Sequence, residues 1–234
     1  MTAQHIHGHT ATIESAAHVD LAHKRPFLLL SLMLGLGYAV TPWLPVPGIA
    51  VLLWKGSAIG SLALYALHHH HRGDYALTGL ALIFAALAIM FTEADMFAGA
   101  LTGVVAAIAL SMLFLRYRRT LLSHSQIALA LALSLIFPAI IWLISADALI
   151  AGFALIMGIM AALGWTSAFP RYRAGAGTLI VAVISSAIAA SPALSASPER
   201  YAASWLALYF GHFLLSVGIV QSLRTRKLKK LRAR

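Results

Sequence analysis

ALTGLALIFAALAIMFTEADMFAGALTGVVAAIALSMLFLRYRR, residues 76–119, contains two apolar runs, 76–92 and 97–115. Glu93 and Asp95 lie between them, and Arg116, Arg118 and Arg119 follow the second. A helix that crosses a bilayer needs roughly 20 mainly apolar residues, and both runs approach that length. In lipid every backbone N–H and C=O must be paired within the structure, so each run reads as a helix. The acids mark one side of the membrane and the arginines the other, because bases are retained on the cytoplasmic side.

The same reading extends in both directions. Further apolar runs cover 27–44, 48–67, 127–144, 149–165, 174–191 and 201–223. Together they predict an all-α, polytopic membrane helix bundle of about eight helices. Composition agrees: 61% of the 234 residues are hydrophobic and only 10% are charged, whereas soluble domains carry about a quarter charged residues. Lys and Arg alternate from loop to loop. They stand at Lys24 and Arg25, at Arg72, at Arg116, Arg118 and Arg119, at Arg171 and Arg173, and from Arg224 onward. All but two of the 17 bases, Lys55 and Arg200, fall on alternate loops and the two tails. That pattern predicts cytoplasmic N- and C-termini; the expected location is a bacterial inner membrane. Losing or merging one helix would scramble it.

Three regions follow: a polar, histidine-containing tail 1–25, the helix bundle 26–223, and a polybasic tail 224–234. The first apolar run has no small-residue cleavage site after it and is read as a retained helix. The net charge of +10 sits at the ends of apolar runs, which suits anionic headgroups rather than nucleic acid. The chain has no cysteine, which excludes a thiolate nucleophile, a Cys metal site and a disulfide framework.

A few polar residues interrupt the apolar runs. Lys55 lies seven residues into the second predicted helix, roughly 10 Å deep at 1.5 Å per residue. An ammonium at that depth costs several kcal/mol unless it is sheltered, so two readings stand. It is either a pocket cation facing the bundle interior or a side chain snorkelling to the outer headgroups. His212 lies deep in the last helix beside Gly211, as an acid–base group or as a hydrogen-bonded contact between helices. Ser185 and Ser186 sit in the middle of the seventh helix. Glu93, Asp95 and Asp147 sit at outer helix ends, as solvated loop acids or as a rim over a pocket. His5, His7, His9 and His68 to His71 form two histidine-rich stretches. Metal ligands within the membrane would also be required for transport, and only His212 qualifies. No metal and no cofactor are expected.

Motif order adds a resemblance. Lys55 in LLWKGS, FAGA at 97–100, FLRYRR at 114–119, PAIIW at 138–142, MAALGW at 160–165, FPRYR at 169–173 and YFGHFL at 209–214 occur in this sequence. In order and spacing they resemble the lysoplasmalogenase (YhhN-like) family of eight-helix membrane hydrolases, over roughly residues 25–223. The resemblance implies cleavage of the vinyl ether of lysoplasmalogen, giving a fatty aldehyde and a glycerophospho-headgroup compound. It also marks departures. The family's Gly-Asp pair in helix three matches Ala88-Ile89, and its Ser-Asp pair in helix seven matches Ser185-Ser186. Its helix-four histidine falls in the apolar stretch Val104 to Ile108, and its helix-eight glutamine matches His212.

Vinyl-ether hydrolysis needs an acid to protonate the β-carbon, an anion near the developing oxocarbenium ion, and a base for water. The expected catalytic candidates are therefore His212, Glu93 and Asp95. Lys55, Tyr209, Ser185 and Ser186 are the expected substrate contacts, in a lipid-sized cavity that takes a lysophospholipid-like membrane lipid. The alternative is a non-catalytic lipid-binding protein, or an accessory subunit with a protein partner in a membrane complex.

Overall fold

The computed structural model describes residues 26–68 and 73–232. Within them, eight helices are long and apolar enough to cross a membrane. They are α1 (Pro26–Trp43), α2 (Gly48–Leu67), α3 (Gly73–Ala94), α4 (Met96–Arg116), α5 (His124–Ser145), α6 (Ala148–Thr166), α7 (Arg171–Ala190) and α8 (Pro198–Arg226). Each expected run falls within one of these helices, give or take a residue at its ends. No β-strand occurs among the described residues; one isolated antiparallel bridge joins Arg118 to Ser167. The tail 1–25, His69 to His71 and Arg72 lie outside the described residues.

Two of the helices open on an acidic cap. Asp95 opens α4, its carboxylate accepting from the Phe97 N–H at 2.8 Å. Asp147 opens α6 in the same way, accepting from Leu149 N–H at 2.7 Å and Ile150 N–H at 3.2 Å. Both acids thus satisfy helix N–H groups that have no partner within the helix. Asp147→Ala is expected to cost about 1 kcal/mol, read as a lower melting temperature of the detergent-solubilised protein.

Packing follows chain order with one closure. α2 packs on α3 and α3 on α4; α4 packs on α6, α6 on α7, and α7 on α8; α8 returns to α2 and α3. The first helix is tied to this ring by side chains. Ser31 donates to the Ala58 carbonyl at 2.7 Å, and Trp54 and Trp205 donate to the carbonyls of Leu34 and Gly35. α5 is the most peripheral helix, and Leu135, Ile136, Trp142 and Leu143 are exposed on it. Lipid tails cover such a surface at no cost, so it needs no protein partner.

Two backbone approaches set the ring. Gly177 of α7 crosses Gly211 of α8, and a Cβ on Gly177 would fall 2.5 Å from Leu215 N and 2.6 Å from Gly211 O. Small residues permit such crossings, where close packing and lipid release hold the helices together. The second approach involves Pro138. It has no N–H, and its ring crowds the carbonyl four residues earlier, so α5 opens into a π-turn over Ala132–Ile136. The Leu133 carbonyl of that turn abuts Gly158 of α6, where a Cβ would lie 2.1 Å from the oxygen.

Candidate functional site

Lys55 resolves in favour of the interior. It is 8% exposed, and its ammonium pairs with the Glu93 carboxylate. α2 begins at the end of the bundle where α3 finishes, so an acid one residue before the end of α3 meets a lysine about two turns into α2. Tyr201 of α8 completes the cluster. Its hydroxyl lies 3.2 Å from Lys55 Nζ, donates to Glu93 at 2.9 Å, and meets the Tyr38 hydroxyl at 2.5 Å. The rings of Tyr201, Tyr38 and Trp205 stand 5.3, 5.8 and 5.9 Å from the ammonium. Those distances suit cation–π attraction. One carboxylate, one hydroxyl and three ring faces therefore replace the water that Lys55 loses. Of the two acids read as loop acids or as a rim over a pocket, Glu93 pairs with Lys55, whereas Asp95 caps α4.

Beside this cluster lies a cavity of about 130 Å³. Lys55 lines one part of it. Ala88, Ile89 and Thr92 come from α3, Gly99, Gly103 and Ala106 from α4, Met157 from α6, Ser185 from α7, and Leu208 and His212 from α8. The walls are mostly alanine, glycine and large apolar side chains. Apolar cavities of about 150 Å³ stay dry and take up a molecule the size of benzene. This one thus accommodates a short segment of an alkyl chain, which is smaller than the expected lipid-sized hollow.

His212 is buried, and its Nδ1 lies 2.9 Å from the Leu208 carbonyl. A carbonyl only accepts, so Nδ1 carries the hydrogen, and Nε2 is the nitrogen left for the cavity. Ser185 lines the cavity with its hydroxyl donating to the Val181 carbonyl at 2.6 Å. That bond back to the preceding turn leaves the oxygen as an acceptor.

The structure separates the remaining expected contacts from this site. Tyr209 is fully buried, but it faces α1, its hydroxyl 3.1 Å from Ser31 and its ring seated on Gly35. It does not line the cavity, because a residue one position after Leu208 points to another side of the helix. Ser186 is buried with its hydroxyl unpaired and also lies outside the lining. Asp95 is an exposed cap. Among the described residues no group of three or more His, Cys, Asp or Glu side chains could hold a metal ion. His68, the described member of the histidine-rich stretches, packs its ring 5.7 Å from that of Phe27.

Sequence reasoning missed Tyr38, Tyr201 and Trp205. The signal for two of them was present: positions 201, 205, 208 and 212 are three or four apart, and so share one face of a helix. Lys55 and His212 thus belong to one face-to-face arrangement across α2 and α8. In comparison with known proteins, the chain matches no family model, no curated protein and no solved structure.

Proposed function

We propose that this chain is a lysoplasmalogenase-like protein of a bacterial inner membrane, with both termini cytoplasmic. It takes a single-chain ether phospholipid from the outer leaflet and hydrolyses its vinyl ether. The observation that carries the reading is convergence. Lys55, Ala88, Ile89, Ser185 and His212 lie on four different helices, and all of them line one cavity. Ala88, Ile89 and Ser185 occupy motif positions that the family resemblance marks in helices three and seven. Bundle packing alone brings inward faces together, and what supports the reading is that a buried cation, a histidine and these motif positions share one cavity.

The chemistry assigns a role to each polar group. The headgroup phosphate stays near Lys55 and the first carbons of the alkyl chain enter the cavity. His212, once Nε2 has taken up a proton, gives that proton to the β-carbon of the vinyl ether, and the alkene electron pair forms the new C–H bond. The α-carbon and its oxygen become an oxocarbenium ion. The Glu93 carboxylate, beside Lys55 and outside the cavity lining, stabilises that charge through the low-dielectric interior and accepts, through water, a proton from the attacking water, whose oxygen bonds to the α-carbon. The resulting hemiacetal then breaks its bond to the glycerol oxygen, and the hydroxyl proton moves to that oxygen. A fatty aldehyde and a glycerophospho-headgroup alcohol leave. Glu93 then returns its proton to His212 through water, which restores both groups; overall, one water is consumed and no oxidant or cofactor is needed.

The test uses the full chain in nanodiscs supplied with lysoplasmenylcholine. Fatty aldehyde release above protein-free nanodiscs is the expected result. Saturable binding of the lipid without aldehyde would replace the hydrolase reading with the lipid-binding one. Neither binding nor release would remove both.

A further inference from the structure

The bundle end opposite Lys55 carries a second polar assembly. Arg116, at the end of α4, pairs with Asp74 at the start of α3 at 3.2 Å, and the Tyr117 hydroxyl donates to the same carboxylate at 2.7 Å. The two following loops are stitched together by the bridge between Arg118 and Ser167 and by the Ala168 N–H to the Tyr117 carbonyl at 2.7 Å. Arg226 of α8 closes over them. Its guanidinium lies 4.8 Å from the Tyr117 ring and 5.6 Å from the Phe169 ring, and donates to the Ala168 carbonyl at 2.9 Å.

Among the described residues only Arg116 of this assembly meets a carboxylate; Arg226 is held by two rings and a carbonyl, and Arg119 and Arg171 are left without an anion. Arg119 reaches only the Phe169 carbonyl, at 3.4 Å. Arg171 follows two residues later, half-buried at the start of α7, and its Nε is buried with no hydrogen-bond partner. Asp74 is the one acid at this end among the described residues, and it is taken by Arg116 and Tyr117. Burial and the neighbouring charge of Arg171 both lower the proton affinity of Arg119. Like charges brought together without a counter-ion are destabilising, and a buried guanidinium nitrogen without an acceptor adds to that cost. The first turn of α7 makes the local field more positive still.

We propose that Arg119 and Arg171 form a binding site for a phosphate group between the α4–α5 and α6–α7 loops. Planar guanidinium forks match the oxygens of a phosphate, and one such anion would satisfy both side chains. The loops flank the membrane-spanning segments, so the phosphate is either that of an anionic lipid headgroup or a free ion. The site does not depend on the reading of the Lys55 cavity.

The test measures melting of the full chain in detergent during titration with phosphatidylglycerol, phosphatidylcholine or inorganic phosphate. Stabilisation by phosphatidylglycerol beyond phosphatidylcholine is expected if the source is lipid, and stabilisation by inorganic phosphate if it is the free ion. In either case Arg119→Gln with Arg171→Gln should weaken binding about tenfold or more. Arg173→Gln should not, since that side chain is exposed and hydrogen-bonded to Gln221. Should loss of Arg171 prevent folding, Arg119→Glu serves instead. It alters only the exposed-loop partner, supplies a carboxylate to Arg171 from within, and should abolish the response. No stabilisation by either anion, or an unchanged response in Arg119→Glu, would overturn the proposal.

Discussion

Glu93→Gln is expected to lower aldehyde release by about 10² to 10⁴ and to destabilise the bundle by about 2 kcal/mol. The two effects have separate causes. The rate falls because a neutral amide neither balances an oxocarbenium ion nor takes a proton from water. Stability falls because Lys55 loses its carboxylate and must either stay buried as an unpaired ammonium or give up its proton. Breaking a fully buried pair costs about 3–5 kcal/mol. Here the Glu93 side chain is 38% exposed, so water recovers part of the loss. The aromatic rings and the Tyr201 hydroxyl still shelter the ammonium. Adding Lys55→Met to Glu93→Gln should restore most of the stability, because an apolar pair is often as stable as a buried ion pair. It should restore none of the release. His212→Ala is expected to reduce release over a similar range with less effect on melting, because its ring bonds only to its own helix. Aldehyde assays and melting curves in the same detergent separate these outcomes. A Glu93→Gln protein with wild-type release would remove Glu93 from the reaction.

Gly177→Leu is expected to pry α7 from α8, lowering stability by about 3 kcal/mol. A Cβ there already meets backbone atoms of α8 at 2.5 and 2.6 Å, and backbone cannot rotate aside as a flexible side chain does. The helices must therefore separate along the crossing. Val181, Ser185, Leu208 and His212 line the cavity on these two helices, so lipid binding should be lost as well. Gly60→Leu is the control, since a Cβ at Gly60 meets nothing within 4 Å. The two variants should differ by several degrees in melting temperature, and equal melting temperatures would mean that α7 and α8 do not cross this closely.

Helix number and extent were legible because they depend on one-dimensional properties. Length and apolarity decide whether a segment crosses a bilayer, and each expected run falls within one observed helix. Gly211 was legible as a close approach for the same local reason. The inward face of each helix was not legible. In water a helix declares its buried side by amphipathicity, but in a membrane both sides are apolar and the signal fades. Lys55 stood out only because its charge is an exception to that rule. Its partner did not, because Glu93 and Asp95 are two residues apart at the same helix junction and look equivalent. Tyr209 and Leu208 are equally ambiguous in the sequence, yet one faces α1 and the other the cavity.

By itself, then, the sequence determined that the chain is a membrane helix bundle, how many helices it has, and which rare polar groups demand shelter. Only the tertiary structure decided that Glu93 answers Lys55, that Tyr38, Tyr201 and Trp205 enclose it, and that His212 and Ser185 share its cavity. Crossing a bilayer is a property of each segment alone, whereas a meeting between side chains depends on how eight helices rotate about their axes, and close packing at glycines such as Gly177 and Gly211 sets that rotation.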